Sequence, residues 1–450
     1  MEPINLQRKK VADSSQKVKW SQYNVEVEPS EKTEDKYLLY NTATGKLVTS
    51  KTSFTSLIKW YEESPVLREG DQALLQMGFL VPFELNELAL TRHRLAEKSS
   101  SRNQSLIILP TEQCNFRCVY CYEEFLKGKM TEDLQNSLVE WVETNAHRWD
   151  SLSIGWFGGE PLVAYDVIKH LSKRIVSICN EKNIRYSANM TTNAYMLTLD
   201  KVKELYEMGV TRYQITLDGP EEYHNQKRVL YGGQGTFQRI MDNLLAIRDS
   251  EYKVFVTIRT NFDTANGPMI PYLLDQLSEK FGSDSRFSFR LHPVGKWGGE
   301  NDENLPICTS KEAQKTILDN SYYGMSKGLQ SSNAKSFILP ESICYASMPN
   351  HLVIGSDGTI YKCTVAFDLP SNKVGQLLPN GTIEIDRFKF SQWVANDGAA
   401  DKVCVSCKIH PICHGASCPL MRIENGLRPC PPYKSNMSDY ISVYYQEVKA

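Results

Sequence analysis

The chain lacks an apolar run long enough to cross a bilayer, lacks an excess of charge of either sign, and lacks a secretion signal. Its 450 residues carry 51 Lys and Arg against 53 Asp and Glu, a formal net charge of -2. A spanning helix needs roughly 20 consecutive apolar residues, so no membrane span is expected. Near-neutral charge gives no electrostatic footing for nucleic acid or an anionic membrane surface. The stretch from Met1 to Lys19 is polar and lysine-containing, without the apolar centre of a signal peptide, and the protein is expected in the cytoplasm. What remains is an ordinary globular composition, 41% hydrophobic and 23% charged, on a chain too long for a single small core.

Against that plain background stand 12 cysteines. In a reducing compartment clustered cysteines read as metal ligands before disulfides. Cys114, Cys118 and Cys121 fall within eight residues, in a CxxxCxxC pattern with Tyr120 before the last, directly after the apolar run Ser105 to Pro110. Three thiols suit a cubic iron-sulfur cluster with one iron left open better than a structural zinc, which takes four closed ligands.

From Ser105 apolar strands alternate with amphipathic helices. Strands are expected at 105–110, 152–157, 186–191, 212–217, 253–260 and 287–292, and helices at 131–149, 165–182, 200–208, 236–249 and 270–281. The fold class is therefore α/β, a partial (β/α)6 TIM-like barrel, whose strand carboxyl ends gather the active site. Ahead of it lies a small N-terminal α+β module: a polar tail to about residue 20, a hairpin from Lys36, helices near 53–63 and 71–77, and a strand at 79–82. A short sheet edge there could accept an extended peptide, and a lid is the plainer reading. The division expected is 1–100 for this module, 101–310 for the barrel and 311–450 for a cysteine-rich domain.

The residues just past the strand ends are small, polar or charged. They are the cysteine triplet after the first strand, Gly158-Gly159-Glu160-Pro161 after the second, Thr191-Thr192-Asn193 after the third, and Thr216-Leu-Asp218-Gly-Pro after the fourth, with Arg228 close behind. A lone Gly-Gly-Glu is a turn; four such ends around one cysteine triplet point to a site. His224 reads as surface polarity at a helix start, and Cys179 as a small buried hydrophobe.

With these motifs the chain resembles the radical SAM superfamily over most of its length after Asn103. The resemblance implies that Cys114, Cys118 and Cys121 bind a 4Fe-4S cluster whose open iron chelates S-adenosyl-L-methionine, and that reduction releases a 5'-deoxyadenosyl radical that abstracts hydrogen. It further implies that Gly158, Gly159 and Glu160 hold the methionine amino group and that Thr216 and Arg228 receive its carboxylate. Asn193 and Asp218 would line the pocket, and Tyr120 would lie near the adenine. The run from Thr216 to Arg228 with Gly235-Thr-Phe237 is similar to the subgroup of anaerobic sulfatase-maturing enzymes and ribosomal-peptide maturases. A reduced flavodoxin or ferredoxin is the electron donor implied.

Beyond Pro293 the alternation stops, and the segment to about Lys335 reads as linker with one helical piece. A hairpin follows, Leu352 to Tyr361, turning at Asp357-Gly358. Seven cysteines surround and follow it: Cys344, Cys363, Cys404, Cys407, Cys413, Cys418 and Cys430. By itself Cys404-x-x-Cys407 could be a zinc knuckle. As a whole the region resembles a SPASM domain, which implies one auxiliary 4Fe-4S cluster on Cys404, Cys407, Cys413 and Cys430 and another on Cys344, Cys363 and Cys418, three clusters in all. Four residues separate Cys413 from Cys418 where the usual pattern has three. The fourth ligand of the second auxiliary cluster is open, with Cys308 as one candidate and a substrate thiolate as another.

Sulfatase-maturing relatives carry an Asp beside the auxiliary cysteine as base. Here Cys363 is followed by Thr364 and Val365, which cannot take a proton at neutral pH, and Asp368 could serve only if its loop folds back. Two auxiliary clusters suit a net two-electron oxidation. The expected activity is therefore an intramolecular cross-link in a ribosomally made precursor peptide, a thioether first. Carbon-carbon or carbon-oxygen cross-linking, epimerisation, formylglycine formation and maturation of another substrate remain alternatives, as does a non-enzymatic metal-binding scaffold.

Overall fold

The computed structural model describes residues 16–395 and 398–449. Six strands, Asn103–Ile108 (β1), Ser151–Trp156 (β2), Arg185–Thr192 (β3), Val210–Thr216 (β4), Phe255–Phe262 (β5) and Phe287–Pro293 (β6), lie side by side in chain order, all parallel. Five helices connect or follow them: Glu132–Asn145 (α1), Tyr165–Glu181 (α2), Leu199–Glu207 (α3), Phe237–Arg248 (α4) and Ile270–Phe281 (α5). Alternate strand residues, among them Leu106, Ile154, Met190, Ile215, Ile258 and Phe289, share one buried core with Leu138, Leu171, Leu205, Leu244 and Leu274 of the helices. The other strand face carries polar residues and looks inward, as in a barrel wall rather than a sheet covered on both sides.

The barrel is open. The outer edge of β1 pairs with His351–Ile354 (β7), and that of β6 with the short strand Gln330–Ser331. From β7 the sheet continues through Thr359–Tyr361 (β8), Lys373–Leu377 (β9) and Ile383–Ile385 (β10), all antiparallel, so the cysteine-rich region extends the barrel sheet itself. The expected Asp-Gly turn joins β7 and β8: Gly358 has φ +80° and the Asp357 carboxylate accepts from Thr359 N at 3.0 Å.

The one helical piece expected in the segment after Pro293 is a 17-residue helix, Ser310–Ser326 (α6). Thr309 and Glu312 cap it reciprocally, Thr309 N donating to Glu312 Oε2 at 2.8 Å. Ile317 packs into the barrel core and Leu318 into a second core, so this helix is structural.

At the N-terminal end Asn24–Val27, Tyr37–Asn41 and Leu47–Ser50 form an antiparallel sheet, with helices Thr55–Glu63 and Gln72–Gln76 behind it. The polar tail ends sooner than expected: Val18–Trp20 pairs with Leu80–Pro82, while the rest of that expectation, residues 1–15, lies outside the described residues. An additional helix, Glu87–Ser99, buries Glu87, whose carboxylate accepts from Ser21 Oγ at 2.5 Å and Gln22 N at 3.0 Å. Leu38 and Tyr40 share a core with Tyr440 and Ile441 of the last helix, Met437–Lys449, and Tyr40 Oη donates to Ile338 O at 2.6 Å. Among the described residues no helix is long and apolar enough to cross a membrane.

Candidate active site at the barrel mouth

Past β1 the chain turns into Phe116–Cys118, which forms an antiparallel ladder with Arg228–Leu230, Cys118 opposite Arg228. Tyr231 N donates to Asn115 O at 2.9 Å and Val119 N to Lys227 O at 3.0 Å, so the segment after β4 clamps the cysteine loop along its length. Arg117 lies between Phe125 and Tyr231, 4.2 and 4.6 Å from the ring centroids. Cys114, Cys118 and Cys121 are close enough to influence one another. Burial first, then Cys118, pushes the Cys121 thiol up to about 12, and Cys114 is raised further by burial, Glu160 and its partner thiols.

The Gly-Gly-Glu turn is packed against this loop. Gly158 has φ +117°, and a Cβ on it would stand 2.2 Å from Thr111 O; one on Gly159 would stand 2.6 Å from both Glu112 O and Gln113 O. Only glycine allows that approach. Glu160 is 1% exposed. Its carboxylate accepts from Leu162 N at 3.0 Å, Thr192 Oγ1 at 2.7 Å and Asn193 N at 2.7 Å, tying the end of β2 to that of β3. Burial raises its pKa while these donors oppose the rise. In this structure Glu160 is thus a brace between two strand ends. Asn193 reaches the cysteine loop, its Nδ2 donating to Asn115 Oδ1 at 2.8 Å and lying 3.9 Å from Cys114 Sγ.

Tyr120, Asp218 and Arg228, distant in sequence, meet. The Tyr120 hydroxyl donates to Asp218 Oδ2 and accepts from Arg228 Nη1 at 2.8 Å and Asn261 Nδ2 at 3.1 Å. Asp218 Oδ1 accepts from Asn261 N at 2.8 Å. Asn261 was not singled out from sequence, although it ends β5 and the rule that served the first four strands applies to it equally. Burial works against the Arg228 charge, but Cys118, Tyr120 and Asp218 outweigh it and hold the guanidinium firmly charged. Its Nε is buried with no acceptor among the described residues. Thr216 sits at the end of β4, 8% exposed.

His224 corrects the surface reading. It is fully buried, with Nδ1 accepting from Asp218 N at 3.3 Å and Nε2 3.0 Å from Thr236 Oγ1. The ring braces the turn that carries Asp218.

The cysteines of the second field fall in two groups. Cys404, Cys407, Cys413 and Cys430 line one small cavity of about 20 Å3 together with Arg428 and Lys434. Arg422 Nη2 lies 3.4 Å from Cys404 Sγ and Lys434 Nζ 3.5 Å from Cys430 Sγ, cations suited to thiolates. Cys344, Cys363 and Cys418 influence one another and lie apart from that cavity. The additional residue between Cys413 and Cys418 is absorbed by a left-handed turn, His414 at φ 48° and Gly415 at φ 71°. Cys308 stands against Glu312, Asp263 and Lys227 instead of the Cys344 set. Cys179 is buried in the barrel core.

The loop after Cys363 does fold back. Phe367 packs on Tyr361, ring centroids 5.0 Å apart, and Asp368 comes close enough to Glu123, two residues past Cys121, to raise its carboxyl behind burial and Glu112. Lys127, six residues past Cys121, donates to the hydroxyl of Tyr361, two residues before Cys363, at 2.6 Å, so the loops of the first and second cysteine fields are joined.

The residues fit the implied groups. Among the described residues no three His, Cys, Asp or Glu side chains converge as ligands of a single ion do. Spaced thiols in sets of three and four suit a wider cluster, whose positive irons would deprotonate thiols that burial keeps neutral. The unfilled Arg228 Nε suits a carboxylate.

Comparison with known proteins agrees with this geometry. Residues 108–268 match the Radical SAM superfamily. The chain is 23% identical over 370 residues to the cysteine-type anaerobic sulfatase-maturating enzyme of Clostridium perfringens (strain 13 / Type A), covering 77% of this chain and 94% of that protein. It is 25% identical over 285 residues to the GTP 3',8-cyclase of Clostridium botulinum (strain Hall), covering 60% of this chain and 83% of that one. Among solved structures, native anSMEcpe with bound AdoMet and Kp18Cys peptide superposes with a TM-score of 0.60 at 20% identity, over 77% of this chain and 98% of that chain. The chain thus carries a radical SAM domain on a partial barrel and is homologous to the anaerobic sulfatase-maturing enzymes.

Proposed function

We propose that this protein is a radical SAM peptide maturase with a SPASM-type auxiliary domain. It removes a hydrogen from a ribosomally made precursor peptide and closes an intramolecular cross-link, a thioether first. The observation that carries the reading is the joining of the two cysteine fields, where Lys127, six residues past Cys121, donates to the hydroxyl of Tyr361, two residues before Cys363, at 2.6 Å. A 4Fe-4S cluster on Cys114, Cys118 and Cys121 would supply the electron that splits S-adenosyl-L-methionine into methionine and a 5'-deoxyadenosyl radical. Arg228, with Thr216 at the end of β4, would hold the methionine carboxylate, and the Gly158-Gly159 backbone would face its amino group. Tyr120, Asp218 and Asn261 fix the Arg228 guanidinium in place. Auxiliary clusters on Cys404, Cys407, Cys413 and Cys430 and on Cys344, Cys363 and Cys418 would take the second electron of the oxidation. In this reading the divisions 1–100, 101–310 and 311–450 serve leader binding, radical generation and electron removal. The three-stranded N-terminal sheet ends on Leu47–Ser50, an outer strand to which an extended leader could add.

Two likenesses support a peptide substrate: the Clostridium perfringens relative matures a sulfatase, and the similar anSMEcpe structure holds the Kp18Cys peptide. A second reading, formylglycine formation, has Asp368 as its candidate base, on the loop that packs Phe367 against Tyr361.

The test is anaerobic co-expression with a short peptide encoded beside the gene, followed by accurate mass and thiol counting. Loss of two hydrogens with a vanished thiol supports the thioether. The same loss with all thiols free indicates a carbon-carbon or carbon-oxygen bond. A thiol replaced by an aldehyde indicates formylglycine. An unchanged mass with deuterium taken up from heavy water indicates an epimerase.

A further inference from the structure

Arg259 on β5 and Arg290 on β6 are direct partners in the parallel ladder. Their strand neighbours Ile258, Phe289 and Leu291 are buried in the helix-packed core, so both arginines project from the opposite face, into the barrel. The two arginines therefore stand on adjacent strands of the inward face, with Arg259 close enough to act on the Arg290 charge. Arg259 is turned by a bond from its Nε to Asn261 Oδ1 at 2.8 Å, which leaves its two terminal nitrogens for another acceptor. Arg290 rests with its guanidinium carbon 4.9 Å from the Phe337 ring centroid, and its Nε is buried without an acceptor among the described residues.

Among the described residues no carboxylate forms an ion pair or hydrogen bond with either arginine. The charged neighbour acting on Arg290 is Arg259 itself. Asp218, which acts on Arg259, has one oxygen taken by Tyr120 and the other by Asn261 N. The next inward residue of β6 is His292, which burial and both arginines hold neutral. A desolvated cation without an anion is costly, and a fold that keeps two together suits an anion placed between them. Paired guanidinium forks match the two oxygens of a carboxylate. Asn261, which accepts from Arg259, donates in turn to the Tyr120 hydroxyl inside the cysteine motif at 3.1 Å, so the anion would be held next to the reacting centre.

We propose that Arg259 and Arg290 form a carboxylate-binding subsite that takes the side chain of an acidic residue of the substrate peptide and so positions the adjoining residue for hydrogen abstraction. This rests on the peptide reading and narrows it: the modified peptide carries Asp or Glu close to the cross-linked residue.

The test is anaerobic thermal melting of the full-length, cluster-loaded protein with three probes. These are N-acetyl-aspartic acid α-amide, its asparagine isostere, and inorganic phosphate. The acid is expected to raise the melting temperature with an apparent affinity about tenfold or more above the isostere, about 1.4 kcal/mol. Phosphate should bind more weakly than the acid. Arg290→Gln and Arg259→Gln should abolish the discrimination, and Arg290→Lys, which keeps the charge without the fork, should retain part of it. Without ligand, Arg290→Gln should melt no lower than the wild type, since it removes an unbalanced charge; a purely structural arginine would melt lower. Equal shifts from acid and isostere, discrimination that survives in the double Gln variant, or a larger shift from phosphate would each overturn the carboxylate subsite. Cleavage of S-adenosyl-L-methionine by the wild type without peptide tests the radical chemistry apart. Cleavage without acid discrimination overturns the subsite alone, and discrimination without cleavage supports the subsite while overturning the maturase reading.

Discussion

Arg228 stands directly across a backbone ladder from Cys118, and its Nη1 donates to the Tyr120 hydroxyl at 2.8 Å. The cation is thus fastened to the loop whose thiols would hold the cluster, and cluster and methionine carboxylate would be set in one register. Arg228→Ala should weaken S-adenosyl-L-methionine binding about tenfold or more, since a charge-assisted hydrogen bond contributes about 1.5–3 kcal/mol. Arg228→Lys should recover only part. Equilibrium binding to reconstituted protein measures both.

Gly159→Ala should destabilise the fold by about 1–3 kcal/mol and lower cluster occupancy, because overpacking against backbone cannot be relieved by a rotamer change. The obstructing atoms are the carbonyl oxygens of Glu112 and Gln113, each 2.6 Å from the added Cβ. Gly128→Ala, where nothing lies within 4 Å, should be nearly neutral. Denaturant melts and iron assays of the two variants check the contrast.

Three histidines should make the protein acid-labile. Burial holds His224 and His292 well below the usual histidine range and His351 down to about 3. Below pH ~6.5 the unfolded chain binds protons that the folded chain refuses, so stability is full above that pH and falls as pH drops toward the folded values. Each histidine contributes up to about 1.4 kcal/mol of loss per pH unit in that window. Unfolding curves at pH 7 and pH 5 should differ accordingly, and His224→Gln should reduce the difference.

Cys413→Ala should remove about a third of the bound iron, one cluster of three. Cys308→Ser should remove none, because Cys308 faces Glu312, Asp263 and Lys227 away from the Cys344 set. Iron and sulfide quantitation distinguishes the variants; iron loss in Cys308→Ser would make it a ligand.

Deleting residues 36–90 should unfold more than the N-terminal module. Leu38 and Tyr40 pack on Tyr440 and Ile441, and the Thr42 hydroxyl donates to Lys408 O at 2.5 Å. The truncated chain should lose its cooperative thermal transition, so leader binding is better probed by titrating synthetic leader into the intact protein.

The barrel was legible because strands and helices announce themselves by period: the apolar residues of β1 through β6 alternate, and those of α1 through α5 recur at helical spacing. The cysteine triplet and the Gly-Gly-Glu turn were legible because their chemistry is local. The helical piece expected beyond Pro293 is Ser310–Ser326, started by the Thr309/Glu312 capping box; that it packs Ile317 and Leu318 into two cores was decided by the tertiary structure. His224 misled because a polar residue at a helix start has no local mark of burial; its place comes from Thr236 and Asp218, which the fold brings to it.

By itself, then, the sequence determined the elements, the thiol sets and the chemistry they invite, since backbone period and ligand spacing are properties of neighbouring residues. Only the tertiary structure decided that Glu160 braces two strand ends, that Asp368 folds back toward Glu123, and that Arg259 meets Arg290 across β5 and β6. Those relationships depend on strand register and on which face looks inward, and register is set by packing of the whole sheet rather than by any stretch of it.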